Sequence, residues 1–213
     1  MYAELITELN NDVFYIMVLC SLLLIALLKS NYWKHTKMLL LSVFAQRYAN
    51  QFLRQENFFT QRVEALTFFL MVINFSIVIA KISLVSSFHT IFIILISVAF
   101  YYFLKYTIFV FLGRIFIAKD IVKIGLFFSL LFDRVLSIVI FPLIICLCFF
   151  AVNIKAIVFS LLILFFAVMM VLKIFWSLKL GQRVFGISKF YIFLYLCTLE
   201  IFPIVLLAKG IIF

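Results

Sequence analysis

The chain has 213 residues, of which 69% are hydrophobic and only 12% are charged, with a formal net charge of +10. An average soluble domain is about half apolar and about a quarter charged, so a water-soluble fold could not cover this much apolar surface. The composition therefore excludes a soluble globular protein and predicts one all-α membrane domain over residues 1–213, a polytopic helix bundle in the lipid bilayer.

Six apolar blocks follow one another along the chain, each near the roughly 20 residues that a helix needs to cross the hydrocarbon core. The blocks are continuously apolar and do not alternate as the strands of a membrane barrel do. The tail before the first block has neither the basic residues nor the cleavage site of a signal peptide, so we expect a retained span. The fourth block has the least defined start. The predicted spans are 13–28, 63–80, 88–112, 135–152, 156–172 and 190–208.

The connection between the first two spans is the longest polar one, and it has a helical pattern. Leu41, Phe44, Tyr48 and Phe52 recur at helical spacing, with polar residues mainly on the other side. The pattern predicts an amphipathic helix over 38–57 that lies in the membrane interface. Two interpretations stay open: a docking surface for a cytoplasmic partner or another subunit, and an anchor alone.

Basic residues are concentrated in alternate connections, and the N-terminal tail contains none. The positive-inside rule places these connections in the cytoplasm and both termini outside, which agrees with an even number of spans. Orientation and attraction to anionic lipids account for the positive charge, so we expect no nucleic-acid partner. The basic residues are Lys29, Lys34, Lys37, Arg47, Arg54 and Arg62, then Arg114, Lys119 and Lys123, then Lys173, Lys179, Arg183 and Lys189.

Polar side chains at membrane depth are the main candidates for a functional site. A lone charge at mid-bilayer costs at least about 2.5–3.5 kcal/mol, so Glu200, about ten residues into the sixth span, should be protonated, paired or hydrated. Its leading expected partner is Lys105, then Arg134, then a tyrosine hydroxyl. The predicted intramembrane polar cluster comprises Glu200, Lys105, Arg134, Asp133, Asn74, Tyr101 and Tyr102.

The charged residues Asp133 and Arg134 are adjacent in sequence and cannot easily face each other, so each should have its partner on another helix. Pro142 and Pro203 are predicted helix breaks, because proline lacks the N–H that a helix requires.

The sequence contains no recognisable catalytic or metal-binding pattern. Cys146 and Cys148 are two residues apart and would point to different faces of a helix, and neither histidine has a ligand at suitable spacing. Phosphate-loop, zinc-protease and hydrolase motifs are also missing from the sequence. We therefore expect no catalytic residues, no metal, no cofactor and no enzymatic activity.

Three segments resemble a known family: "YWKHTKMLLLSVFAQRYANQFLRQEN", "DRVLSIVIFPL" and "YLCTLEIFPIVLLAK". They are similar to multi-pass inner-membrane proteins of Bacteroidota that are classed as a domain of unknown function. The resemblance implies an inner-membrane location and no established activity. Many envelope proteins specific to these bacteria serve type 9 protein secretion or gliding, which is an association and not evidence from residues.

Two main hypotheses for function follow. In the first, the polar cluster orients helices in a non-catalytic subunit or assembly factor of a cell-envelope complex, bound to other membrane proteins or to further copies of itself. In the second, the chain is a small proton-coupled transporter or channel that uses Glu200, although an intramembrane charge alone does not separate the two. A lipid-modifying enzyme is a third, weaker alternative.

Overall fold

The computed structural model describes residues 2–54, 58–83, 87–115, 119–149 and 152–184. All secondary structure in these ranges is α-helical, which confirms the predicted all-α class. The sixth predicted span, with Glu200 and Pro203, lies outside the described residues. The helices are α1 (Tyr2–Asn31), α2 (Trp33–Ser42), α3 (Gln46–Arg54), α4 (Phe58–Ile82), α5 (Phe88–Ile115), α6 (Lys119–Phe149) and α7 (Val152–Val184).

Five of these helices are long and apolar enough to cross a membrane. Their apolar side chains suit the lipid, and the helix itself satisfies the backbone hydrogen-bonding groups. The apolar stretch of α6 begins before the predicted 135, because Asp133 and Arg134 lie inside the helix and do not mark its end. The apolar part of α7 likewise extends past the predicted 172. The five stretches are Asp12–Asn31, Phe58–Ile82, Phe88–Phe111, Gly125–Phe149 and Ile157–Trp176.

Helices α4 and α6 form the centre of the bundle. In an apolar window of 18 residues, 61% of the residues of α4 and 56% of those of α6 are buried, against 28%, 22% and 22% in α1, α5 and α7. Helix α6 packs against α4, α5 and α7 and also touches α1 and α2. Leu131, Ile140 and Ile144 on α6 are fully buried, whereas Phe103 on α5 and Val171 on α7 are mostly exposed. The outer helices therefore present apolar side chains outward, as a bilayer requires.

The predicted interfacial helix over 38–57 is divided into α2 and α3 by a turn at residues 43–45. In that turn the backbone N–H groups of Phe44 and Ala45 both donate to the carbonyl of Leu41. The turn interrupts the helical periodicity, so the apolar residues before it and after it do not lie on one helix face. Phe44 is 74% exposed, but Phe52 is 2% exposed and lies against Phe127 of α6, with ring centroids 5.5 Å apart.

The four predicted interfacial residues therefore have different surroundings. Leu41 is partly buried and Tyr48 is exposed, as Phe44 is. Leu39 and Val43, which are not among these four residues, are fully buried. The segment is thus packed partly on the helix bundle, and only its outward side is free to contact lipid.

Pro142 does not break its helix. It lies inside α6, which continues to Phe149. Proline removes one backbone hydrogen bond, but the neighbouring helices hold the segment, as is common in membrane-spanning helices. The prediction of a helix break at this position is wrong.

Candidate functional site

Helix α6 carries two adjacent charged residues into the interior of the bundle. Successive residues on a helix point about 100° apart, so Asp133 and Arg134 face different neighbouring helices. Together with Glu64, Lys105 and Lys173 they form two sets of ion pairs, which we call the ion network. Its members come from α4, α5, α6 and α7.

Asp133 contacts two lysines from two other helices. The Nζ of Lys173 donates to both carboxylate oxygens, at 3.0 Å and 3.2 Å. The Nζ of Lys105 lies 3.6 Å from Oδ2, an ion pair rather than a hydrogen bond. Lys105 is 2% exposed and Lys173 is 3% exposed, so both ammonium groups are screened from lipid by protein. One carboxylate thus connects α5, α6 and α7.

Arg134 faces α4. Its Nη1 lies 3.8 Å from Oε2 of Glu64, beyond hydrogen-bonding distance. Arg134 is 6% exposed, and no described residue accepts a hydrogen bond from its buried Nε. The side chain of Glu64 is 39% exposed. The arginine is therefore the buried member of this pair, and the glutamate lies towards the surface.

Asn74 joins three helices about one turn from the charges. Its Oδ1 accepts from the hydroxyl of Ser21 on α1, and its Nδ2 donates to the carbonyl of Ser137 on α6, both at 2.9 Å. Asn74, Ser21 and Ser137 are fully buried. The hydroxyl of Ser137 donates to the carbonyl of Arg134 at 2.7 Å, which places this junction directly beside the ion network.

A cavity of about 600 Å³ lies between α4, α5 and α6 and reaches Arg134 and Glu64. Its remaining wall consists of aromatic and aliphatic side chains. Several wall residues of α5, including Phe100 and Phe103, are more than half exposed, so the cavity opens at the outer surface of the bundle. The other lining residues are Phe68, Leu95, Ile96, Ala99, Tyr102, Tyr106, Leu126 and Leu130.

The two predicted tyrosines pack among aromatic rings. Tyr102 is buried, with its ring 6.2 Å from Phe68 and 6.3 Å from Phe75. Tyr101 is partly buried, and its ring meets that of Tyr102 at 5.1 Å. Aromatic pairs at such distances contribute about 0.5–1.5 kcal/mol beyond their buried area. These rings fix the face of α5 beside the cavity.

The structure brings together Lys105, Asp133 and Arg134 of the predicted cluster and places Asn74 one turn away. Glu200 and Pro203 lie outside the described residues, so the expected contact of Glu200 with Lys105 stays a prediction. Sequence reasoning missed two members, Lys173 and Glu64. Lys173 was assigned to a basic connection, but it lies inside the apolar stretch Ile157–Trp176 of α7.

A signal for each missed residue was present in the sequence. Glu64 falls inside the second predicted span, 63–80, and an acidic residue within a span is unusual enough to need a partner. Lys173 directly follows the end of the fifth predicted span. It lies inside the span because the helix continues past that end. A search for charges one turn beyond each apolar block would have found it.

The chemistry available to the ion network is electrostatic. Three cations and two carboxylates lie between helices, where removing one member leaves a buried charge without its counter-ion. Within the described ranges, no group of three His, Cys, Asp or Glu residues could hold a metal ion, and Cys20 and Cys146 are free thiols. The geometry is suited to fixing helices relative to one another.

The comparisons with known proteins give one positive result. Neither the comparison with curated proteins nor that with solved structures produced a match. A family model described as a domain of unknown function, DUF4271, matches residues 13–211. Because this match extends over nearly the whole chain, the protein belongs to the DUF4271 family.

Proposed function

We propose that the chain is a non-catalytic subunit or assembly factor of a cell-envelope complex, embedded in a bacterial inner membrane by six spans. The ion network is the observation that carries the proposal. It joins α4, α5, α6 and α7 through Glu64, Arg134, Asp133, Lys105 and Lys173, four of which have largely buried side chains. Such a network favours one fixed arrangement of helices, which is a property of a scaffold.

The positions of the charges along the helices support a cytoplasmic location for the network. Glu64 is near the start of α4, Lys105 is in the second half of α5, and Lys173 is near the end of the apolar stretch of α7. Because successive helices cross the bundle in opposite directions, α5 and α7 both run opposite to α4, and these residues share one end of the bundle. That end adjoins the basic connections, which the positive-inside rule assigns to the cytoplasm. With six spans, both termini are then periplasmic.

The outer surface supports contacts within the bilayer. Mostly exposed apolar side chains cover α1, α5 and α7, including Ile16, Phe103 and Val171. Lipid and the spans of other subunits are both compatible with such a surface, because helix association in membranes depends on packing and not on hydrophobicity alone. The resemblance to Bacteroidota proteins makes type 9 secretion or gliding the first process to examine.

A proton-coupled transporter is the second candidate, and the cavity beside Arg134 and Glu64 favours it. Transport would require a hydrated route through the bundle in which a carboxylate, Glu200 first, gains and loses a proton. An assembly role requires only that the charges stay paired. The two functions therefore differ in whether the isolated protein moves protons.

The deciding experiment has two arms on the same tagged chain. Native membranes are crosslinked and extracted, and co-eluting proteins are quantified by mass spectrometry against a similarly expressed, unrelated inner-membrane protein. Purified chain is also placed in vesicles that contain a pH-sensitive dye. We expect a reproducible, near-stoichiometric set of envelope proteins and no proton flux above empty vesicles. A chain that elutes alone and conducts protons, with flux abolished by Glu200→Gln, would refute the proposal.

A further inference from the structure

The cavity between α4, α5 and α6 has the composition of a binding site for an amphiphile. The charged pair of Arg134 and Glu64 lines part of the wall, and the rest of the wall is aromatic or aliphatic. Its volume of about 600 Å³ falls in the range of about 300–1,000 Å³ that is typical of small-molecule sites. A further transmembrane helix of about 20 residues, about 30 Å long and 10 Å across, would need roughly 2,400 Å³. The cavity therefore cannot enclose a whole helix, and of a phospholipid it can enclose the headgroup and one acyl chain.

Arg134, which lines the cavity, has one hydrogen-bond donor with no acceptor among the described residues. Arg134 is 6% exposed, its buried Nε has no acceptor among the described residues, and its Nη1 is 3.8 Å from Glu64. A guanidinium group offers five N–H donors in a plane and matches the oxygens of a phosphate. The Nε is enclosed by protein, so a phosphate in the cavity would bind the terminal N–H groups of the guanidinium, whose Nη1 lies beyond hydrogen-bonding distance of Glu64.

Glu64 limits which phosphate-containing molecules fit. Its side chain is 39% exposed and lies nearer the surface than Arg134. A purely anionic headgroup would place a second negative charge near this carboxylate. A headgroup that carries a primary ammonium group beyond its phosphate would instead pair with both residues, phosphate at Arg134 and ammonium at Glu64.

The apolar wall accommodates a hydrocarbon chain. The lining residues of α5 extend from Tyr106 to Leu95, about 16 Å along the helix at about 1.5 Å per residue. They therefore form an apolar strip along α5 on one side of the cavity. Ile96, Phe100 and Phe103 are more than half exposed, so an acyl chain could enter sideways from the bilayer.

We propose that this cavity binds one phosphatidylethanolamine molecule, with its phosphate on Arg134, its ammonium on Glu64 and an acyl chain along α5. The site is separate from the Asp133 half of the ion network and does not depend on whether the chain acts as a scaffold or a transporter. It would make the packing of α4, α5 and α6 sensitive to the lipid composition of the membrane.

The test is a lipid titration of the delipidated full chain, followed by native mass spectrometry. Phosphatidylethanolamine, phosphatidylglycerol and phosphatidylcholine with identical acyl chains are compared. We expect one phosphatidylethanolamine per chain, bound at least about tenfold more tightly than the other two, since phosphatidylglycerol has no cation and phosphatidylcholine has no N–H to donate to Glu64. Equal affinities for the three lipids, or tighter binding of phosphatidylglycerol, would overturn the proposal.

Variants separate the two ends of the site. Glu64→Gln should abolish the preference for phosphatidylethanolamine over phosphatidylglycerol, and Arg134→Gln should weaken binding of both. Ala99→Leu fills the apolar wall and should lower occupancy at least about tenfold, at unchanged helix content by circular dichroism. Ser97→Leu is the matched control, because Ser97 is exposed on α5 and does not line the cavity.

If Arg134→Gln or Glu64→Gln fails to fold, the comparison of Ala99→Leu with Ser97→Leu decides. Loss of lipid in the first and retention in the second supports the site. Identical binding in both, with several equivalents of lipid per chain, would show non-specific lipid around the bundle and contradict the proposal.

Discussion

Asp133 shows how a few ionised side chains can be stable inside an apolar bundle. A single charge at the centre of a bilayer is costly, but Asp133 lies within 3.0–3.6 Å of two lysine ammonium groups. The long lysine side chains bury their methylene groups against apolar neighbours and bring only the charged ends together. The interaction is reciprocal, so the loss of any one member leaves the others in an unfavourable environment.

Glu200 provides a prediction about charge balance. If it approaches Lys105, the set Lys105, Lys173, Asp133 and Glu200 contains two cations and two carboxylates. Glu200→Gln should then lower the yield of folded protein, measured by fluorescence-detected size-exclusion chromatography. Adding Lys105→Met restores equal numbers of charges and should recover part of the loss.

Asp12→Asn is the control for this experiment, because Asp12 is exposed near the N-terminus of the apolar part of α1. It should not change the yield. A neutral effect of Glu200→Gln on both yield and function would show that Glu200 takes part in neither an ion pair nor a proton path.

Asn74 provides a prediction about uncharged polar contacts. Asn74→Leu removes the hydrogen bonds to Ser21 and Ser137 while keeping a side chain of similar size. We expect a loss of about 1 kcal/mol in the free energy of unfolding, in line with hydrogen bonds between membrane helices. Unfolding by sodium dodecyl sulfate, followed by circular dichroism, measures it.

Ser76→Ala is the matched control on the same helix, since the Ser76 hydroxyl donates to the carbonyl of Val72 within its own helix. A loss for Asn74→Leu no larger than for Ser76→Ala would contradict a role for Asn74 in joining helices.

At the scale of the helix, α6 determines the arrangement of the bundle. It contains the central apolar residues, both charged partners of the ion network and the carbonyl that Asn74 binds. All of these groups lie on one continuous helix, which passes through Pro142 and ends at Phe149. The other long helices are positioned by what they contact on α6.

The helices could be predicted from the sequence because each span is a long, continuous apolar block. Their ends were less predictable, since a lysine or aspartate was interpreted as the end of a span. Lys173 and Asp133 show why this fails: a charged residue with a buried partner can lie inside a helix, and sequence alone does not reveal the partner. The connection at 38–57 was misinterpreted for another reason, since helical spacing does not reveal the turn at residues 43–45.

The packing of α3 gives a prediction about that connection. Phe52→Ala removes a buried ring from Phe127 and should release α3 from the bundle, raising amide hydrogen exchange over 46–54. Phe44→Ala, at a residue that is 74% exposed, should leave exchange there unchanged. Hydrogen–deuterium exchange mass spectrometry in detergent compares the two, and equal exchange in both variants would mean that α3 is held by other contacts.

At the scale of the whole molecule, the number of spans decides the orientation. Five candidate spans lie in the described residues, and the predicted sixth would return the C-terminus to the side of the N-terminus. The basic connections then all face the cytoplasm, together with the charged end of the bundle. An odd number of spans would separate the termini.

Reporter fusions test this arrangement. Fusions at both termini should report a periplasmic location, and fusions after Gln55 and after Arg183 a cytoplasmic one. An alkaline phosphatase reporter, active only in the periplasm, and a fluorescent reporter, active only in the cytoplasm, give complementary readings. A cytoplasmic C-terminus with a periplasmic N-terminus would exclude six spans.

The central claim is that charges inside the bundle hold its helices together, and a double-mutant cycle between Asp133 and Lys173 measures this most directly. The free energy of unfolding is determined in sodium dodecyl sulfate for Asp133→Asn, Lys173→Met and the double variant. We predict that the two changes are non-additive by about 1–3 kcal/mol, because the double variant removes both charges of a buried pair. Asp133→Asn combined with Lys81→Met, at a lysine stacked on Phe14, should be additive. A coupling between Asp133 and Lys173 below about 0.3 kcal/mol would contradict the account.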